Sequence, residues 1–96
     1  MYQFVETYKH PNNKYAVMIV FQTNTDFAAN IDLVRSNVKF ITTIACGYKS
    51  KTINEVLNIE VPYDQRVVTI RNVLSDISRK LGESFTIEKF EFVYLN

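Results

Sequence analysis

The first quarter of the chain has the hydrophobic pattern of a β-hairpin. Residues 2–8 alternate, with three aromatic side chains on one side and Glu6 interrupting that side, and a period of two is typical of a strand. Residues 10–13 (His-Pro-Asn-Asn) have turn chemistry, because proline fixes φ and asparagine tolerates left-handed backbone. The next segment, Tyr15–Thr23, is apolar on both sides and rich in β-branched residues, which predicts a central strand covered on both faces.

Two stripes with helical spacing follow. Apolar residues recur at intervals of four, three and four, as on one face of a helix, at Phe27, Ile31, Val34 and Val38. Thr25 or Asp26 is a suitable N-cap for that helix. A second, cleaner stripe predicts a helix over residues 67–81, formed by Val67, Ile70, Leu74, Ile77 and Leu81. We expect Asp64 to cap its start and Gly82 to adopt the left-handed conformation at its end.

Three further segments have strand character. Residues 40–48 are largely apolar and residues 52–61 alternate, and Pro62 is expected to end the second of these strands. Residues 85–95 form the last strand, in which the apolar side changes parity around residues 88–89. Either a β-bulge at that point or burial of both faces along different stretches explains the change.

The predicted element order is therefore β-β-α-β-β-α-β. Without its first strand this is the split β-α-β-β-α-β order of ferredoxin-like domains, and right-handed crossovers place both helices on one face of the sheet. The sequence thus predicts an α+β fold with a single five-stranded, mostly antiparallel sheet and two helices on one face. This is a ferredoxin-like core plus an N-terminal edge strand. With 96 residues, we expect one domain spanning residues 1–96.

Composition narrows the classes of function without selecting one. The net charge of +1 is low for a dedicated nucleic-acid-binding domain. A single cysteine allows neither an intrachain disulfide nor a C-x-x-C metal site, and we expect no metal and no other cofactor. The longest apolar run, residues 16–21, is too short to span a membrane, and the first residues lack signal-peptide features. We therefore expect a cytoplasmic protein with no membrane partner.

Residue usage also points to an origin. Residue types with AT-rich codons (Phe, Tyr, Met, Ile, Asn, Lys) total 40, whereas those with GC-rich codons (Gly, Ala, Arg, Pro) total 12. This ratio favours a gene from a low-GC bacterium or from a phage or mobile element of such a host.

Cys46, His10 and Glu55 are the candidates for catalysis, and each has a simpler structural explanation. Cys46 can act as a nucleophile with His10 as its base, but it lies mid-strand among apolar residues, where a free cysteine is commonly buried. His10 lies in a polar turn without the further donors that a metal site needs. Glu55 lies on the inward side of the strand predicted over residues 52–61, where a carboxylate serves either as an acid or base or as a charge that blocks edge-to-edge association. We expect no catalytic residue among them.

The aromatic residues indicate an interaction surface. The 13 Phe and Tyr residues are many for this length, and nearly all lie on predicted strands. One helix-covered face has limited room, so we expect some of them on the opposite face, where contiguous apolar surface marks an interface. The predicted interface residues are Tyr2, Phe4, Tyr8, Phe90, Phe92 and Tyr94. The alternative is that a bulge near Glu88 returns these side chains to the core.

The leading hypothesis is a small non-enzymatic protein that binds and modulates a larger protein, for example a host protein, through its open sheet face or an edge strand. We expect it to form a homodimer through its aromatic strand residues. The first alternative is a small nucleic-acid-binding regulator, because lysines beside an aromatic ring can hold a phosphate backbone and stack a base. Its candidate residues are Tyr48, Lys49, Lys51, Arg66, Arg71 and Arg79. The second alternative is an enzyme that uses Cys46 or Glu55.

Overall fold

The computed structural model describes residues 1–95 and has an α+β fold. Within that range the strands are β1 (Tyr2–Lys9), β2 (Tyr15–Thr23), β3 (Glu60–Tyr63), β4 (Arg66–Thr69) and β5 (Phe85–Tyr94). The helices are α1 (Asp26–Ala29), α2 (Asp32–Gly47), α3 (Ile53–Leu57) and α4 (Ile70–Leu81). The strands form a three-stranded sheet of order β1-β2-β5 and a separate β3-β4 hairpin. The α+β class is confirmed, whereas the expectation of a single five-stranded sheet with two helices is wrong.

The three-stranded sheet is an antiparallel meander with β2 at its centre. The predicted first hairpin and the predicted last strand are confirmed. The register between β2 and β5 shifts between Val20 and Phe21, so that Ile87 and Lys89 have β2 partners and the residue between them, Glu88, is bulged out. Of the two explanations that the sequence left open, the bulge is the correct one. The extra residue returns Phe90 to the face occupied by Ile87 although the two are three positions apart.

The core lies on one face of this sheet. Val17, Ile19 and Phe21 of β2 point toward the helices and are buried. The other face is exposed to a large extent, with Val5 at 55%, Met18 at 37% and Val93 at 53% of full exposure. The prediction that β2 is covered on both faces is therefore wrong. We call the exposed side the open face, and its apolar members are Val5, Ala16, Met18, Val20 and Val93.

Residues 40–48, predicted as a strand, belong almost entirely to α2. The helix buries one continuous stripe with spacings of four, three and four, consisting of Val34, Val38, Ile41 and Ala45. The stripe that sequence analysis ended at Val38 therefore continues for two more turns. Thr42 donates its hydroxyl hydrogen to the Val38 carbonyl at 2.7 Å, which satisfies a buried polar side chain inside the helix. The helix predicted before Val38 is split, because α1 is a separate short helix that Thr25 caps as predicted.

The strand predicted over residues 52–61 is wrong for most of its length. The Thr52 hydroxyl accepts a hydrogen bond from the Glu55 N–H at 3.1 Å, and the Glu55 carboxylate accepts one from the Lys51 N–H at 2.7 Å. Such reciprocal capping begins a helix, here α3. Glu55, expected to face inward, is exposed. Pro62 does not end a strand but lies inside β3.

The β3-β4 hairpin precedes α4 and shortens it. Asp64 and Gln65 form its two-residue turn with φ of 54° and 66°, so Asp64 is not the helix cap that the sequence predicted. Thr69 has that role, since its hydroxyl accepts a hydrogen bond from a backbone N–H three residues further on. The helix predicted over residues 67–81 is otherwise confirmed from Ile70 onward. It ends as predicted at left-handed Gly82, with a φ of 71°.

Candidate binding surface at the edge of the sheet

The six aromatic residues predicted at an interface all lie on the helix-covered side of the sheet. Phe4 and Tyr8 pair with buried residues of β2, and directly paired residues of antiparallel strands share a face. The aromatic residues Phe90, Phe92 and Tyr94 pair with Ile19, Val17 and Tyr15 in the same way. The expectation that some of the six line the open face is wrong. The β1 aromatics alternate in register with the buried side of β2, and the bulge at Glu88 restores that parity for Phe90, Phe92 and Tyr94. Whether they contact a partner stays a prediction.

Two of the predicted nucleic-acid-binding lysines lie over aromatic rings at one end of the sheet. The Nζ of Lys49 is 5.2 Å from the centre of the Tyr15 ring, and the Nζ of Lys51 is 4.8 Å from that of Phe92. Both distances are within cation–π range. The His10 ring stacks on Tyr15 at 4.5 Å. We call His10, Tyr15, Lys49, Lys51 and Phe92 the lysine–aromatic cluster; Tyr48 adjoins it in the chain and is exposed.

The three arginines of that prediction lie on other elements. Arg66 is exposed on β4. Arg71 of α4 lies 3.5 Å from the amide oxygens of two asparagines in and after α3. Arg79 forms an ion pair with Asp76 one turn earlier in α4. Among residues 1–95, no hydrogen bond or ion pair joins these arginines to the lysine–aromatic cluster.

The three catalytic candidates do not come together as a reactive site. Cys46 lies in α2 rather than on a strand, and it is buried, as expected. Burial raises the pKa of its thiol, although a hydrogen bond with the His10 backbone acts in the opposite direction, and a neutral thiol is a poor nucleophile. The His10 imidazole accepts a hydrogen bond from the Asn12 N–H at 3.2 Å, and the Glu55 carboxylate is engaged in capping. Within residues 1–95, no three His, Cys, Asp or Glu side chains are grouped to hold a metal ion.

The outer edge of β1 is a regular stretch of unpaired strand backbone. The His10 N–H donates to the Tyr15 carbonyl at 2.9 Å, and in an antiparallel ladder such bonded pairs alternate with non-bonded ones. Phe4, Glu6 and Tyr8 therefore bond to β2. The residues between them direct their N–H and C=O groups away from β2, to a side where the described chain places no strand. These outer-edge residues are Gln3, Val5, Thr7 and Lys9.

A groove lies between β1 and α2, directly beneath this edge. It consists of two adjacent cavities of about 240 and 310 Å³ that share Glu6 and Lys39 as lining residues. Strand β1 contributes Tyr2, Phe4, Glu6 and Tyr8, and α2 contributes Arg35, Lys39 and Thr43. The first cavity joins the start of β1 to Arg35, and the second joins its end to Thr43. The helix therefore runs alongside the strand, and we call this space the β1–α2 groove.

The opposite edge of the sheet is less suited to strand pairing. Strand β5 is interrupted by the bulge at Glu88, and a bulge on an edge strand disrupts the ladder that a further strand needs. Ser78 of α4 bonds both the N–H and the carbonyl of Phe85, at 2.9 and 3.3 Å, so one end of β5 already has a partner. In contrast, β1 pairs over eight residues without a bulge or a proline.

Sequence reasoning missed the charged residues of the groove. Glu6 was noted only as an interruption of an apolar side, and the structure shows it half-buried in the groove wall. Arg35 and Lys39 were not singled out, although their four-residue spacing marks one side of a helix. The missing information was the contact between α2 and β1, which a local pattern does not contain.

A comparison of the chain with models of known protein families finds no match, and no curated protein matches its sequence. In the part of the chain that the structure describes, none of the helices combines the length and apolar character needed to cross a membrane.

Proposed function

We propose that this protein is a non-enzymatic binding module whose β1 edge pairs with an extended segment of a larger protein. The observation that carries the proposal is the eight-residue edge strand with outward-directed backbone groups above a groove. In this mode of recognition, main-chain hydrogen bonds supply affinity and pockets for alternate side chains supply specificity. By binding a segment of its partner, such a module changes the activity of that protein without catalysing a reaction.

The test is selection from a phage-displayed library of random decapeptides, followed by measurement of the selected peptides on variants of β1. Thr7→Pro removes one outward N–H, and proline is tolerated on an edge strand because no ladder bond is lost. Thr7→Val is the matched control, since it keeps the N–H and favours a strand. We expect the peptides to bind the wild type and Thr7→Val alike, and to bind Thr7→Pro about tenfold more weakly, the cost of roughly one hydrogen bond.

A second readout uses the unaltered protein. Addition of a selected peptide should shift the backbone amide NMR signals of Gln3, Val5 and Thr7 most, because their N–H groups form the new bonds. Selected peptides that leave these signals unchanged and bind Thr7→Pro at full strength contradict the proposal, as does a library from which no peptide is selected.

The homodimer expected from the sequence was assigned to the aromatic strand residues, and a dimer formed by two β1 strands would be a second use of the same edge. Light scattering on a size-exclusion column distinguishes the two, since a dimer has about twice the monomer mass of 11.2 kDa. If the protein is a dimer that Thr7→Pro converts to a monomer and Thr7→Val does not, the β1 edge binds a second copy of the chain.

The lysine–aromatic cluster favours a second candidate function, binding of single-stranded nucleic acid. Base stacking on aromatic rings and cation contacts with the backbone are the interactions such binding needs. Under this hypothesis, a fluorescein-labelled oligothymidylate binds with an affinity that falls steeply with salt and is lost in Lys49→Glu and Lys51→Glu. Binding unaffected by these variants, or absent at low salt, removes this candidate.

A further inference from the structure

The β1–α2 groove carries two cations at a spacing that matches an extended strand. Arg35 and Lys39 lie four residues apart on α2, a separation of about 6 Å along the helix axis. Alternate residues of a strand are about 6.6 Å apart. Because α2 runs alongside β1, a strand added to β1 places successive inward side chains opposite these two positions.

The positive charges of the groove exceed the negative charge on its lining. Arg35 and Lys39 are exposed and form no ion pair within residues 1–95. Glu6 is the acidic side chain on the lining, against the two basic ones, so the lining keeps a net positive charge. A segment that carries carboxylates therefore complements the groove better than a neutral or basic one.

A second copy of the chain fits the groove poorly. Antiparallel pairing of two β1 strands would bring the two α2 helices together on the same face of a continuous sheet. Four cations, the Arg35 and Lys39 of both copies, would then face one another with two Glu6 side chains between them. In the register centred on Glu6, those two carboxylates would also be directly opposite, which destabilises a strand pair.

On these grounds, and resting on the proposed function, we infer that the β1 edge binds an acidic extended peptide segment whose carboxylates, two positions apart, lie against Arg35 and Lys39. The backbone of the segment pairs with the outer edge of β1. Its inward side chains enter the groove, and those between them lie on the open face. The residue between the two carboxylates lies on the open face, away from Arg35 and Lys39, so the preferred pattern has two acidic positions rather than a continuous acidic run.

The experiment compares peptide selection on four proteins: the wild type, Arg35→Glu, Lys39→Glu and Arg66→Glu. The last makes the same charge change on β4, outside the groove. We expect the wild type and Arg66→Glu to select Asp or Glu at two positions separated by one residue. Each groove variant should bind those peptides about tenfold more weakly, because it replaces one attraction with a repulsion of similar size, and should itself select basic residues. All three substituted residues are exposed, so we expect each variant to fold.

The outcomes separate this inference from the function on which it rests. Peptides that need the Thr7 N–H but show no acidic preference contradict the inference and leave strand pairing in place. Acidic peptides that bind Arg35→Glu and Lys39→Glu at full strength also contradict it. Peptides that bind Thr7→Pro at full strength contradict both proposals. An oligothymidylate that displaces the selected peptides assigns the groove cations to nucleic acid instead.

Discussion

Asp76 accepts contacts from three neighbouring side chains at the junction of the β3-β4 hairpin and α4. The Tyr63 hydroxyl donates to it at 2.7 Å, the Lys80 ammonium is 3.2 Å away, and Arg79 forms an ion pair with it. The hydrogen bond from Tyr63 and the one from Lys80 lower the pKa of the Asp76 carboxyl below its ordinary 3.8. This cluster fastens the hairpin to the helix.

The cluster predicts how Asp76→Asn changes the pH dependence of stability. A carboxyl whose pKa is lowered in the folded state stabilises that state above its unfolded pKa, and the contribution is lost as pH falls through the folded pKa. Urea unfolding should therefore show Asp76→Asn less stable than the wild type at neutral pH, with the difference shrinking below about pH 4. Tyr63→Phe, which keeps the carboxyl, should retain part of this acid dependence. A difference independent of pH would contradict the assignment.

Gln65 adopts a backbone conformation that suits glycine. Its φ of 66° follows that of Asp64 at 54°, as in the hairpin turns that prefer glycine at the second position. We expect Gln65→Gly to stabilise the protein by about 1 kcal/mol in urea unfolding, since a left-handed residue with a side chain costs roughly that amount. The control is Glu60→Gly in β3, where glycine only adds chain entropy and should destabilise. A destabilising Gln65→Gly would contradict the turn.

At the scale of elements, the predictions were correct where the local sequence pattern favours one type of structure. The first hairpin, the bulged last strand and α4 with its Gly82 cap each have such a pattern. The second half of α2 does not, because Thr42, Thr43 and Ile44 favour strands by propensity while the buried stripe through Ile41 favours a helix. The packing of this buried stripe against the core outweighs the strand propensity, and the segment is helical. The start of α3 was foreseeable, since Thr52 and Glu55 have the spacing of a capping box.

The candidate site could be predicted only in part, because part of it depends on contacts between segments that are distant in the sequence. The first strand was expected at an edge, and the structure places it there. The groove, however, forms because α2 runs alongside β1. Glu6 and Lys39 therefore line the same cavities although they are far apart in the sequence. The predicted aromatic interface depended on which face each aromatic occupies, and a single bulged residue, Glu88, reverses that answer for half of them.

The alternation of hydrogen bonds along β1 predicts an alternation of amide exchange. Phe4, Glu6 and Tyr8 donate to β2, whereas Val5 and Thr7 direct their N–H groups outward. Amide hydrogen exchange followed by NMR should show the first three protected and the last two fast, because unbonded exposed amides need no opening. Uniform protection along the strand would mean that the outer edge is paired in solution, most simply by a second copy.

At the scale of the whole molecule, the larger of the two buried hydrophobic clusters in residues 1–95 is shared by the sheet and the helices. Phe21 is fully buried at its centre and stacks against Phe4 at 5.8 Å and Phe85 at 5.7 Å. Glu83 adds a polar tie, since its carboxylate accepts backbone N–H groups of Asn24 and Thr25 at 3.0 and 3.1 Å. The start of β5 is thereby held against the end of β2.

Truncation of this central ring should destabilise the entire fold. We expect Phe21→Ala to lower the free energy of unfolding by about 3–5 kcal/mol, the cost of a large cavity. Phe27→Ala is the matched control, because Phe27 is 78% exposed and its loss should change stability by less than about 0.5 kcal/mol. Denaturation followed by circular dichroism measures both. Similar effects of the two variants would place the core elsewhere.

The strand directions also determine where the molecule can be tethered. Because β1 and β5 both run antiparallel to β2, Tyr2 lies beside Thr23 at one end of the sheet and Tyr94 beside Tyr15 at the other. Nine residues of β2 separate these ends by roughly 30 Å. A reporter or surface anchor fused ahead of Tyr2 stands at the mouth of the groove, which Tyr2 lines. One fused after β5 projects from the far end, beside the lysine–aromatic cluster, and leaves the β1 edge accessible.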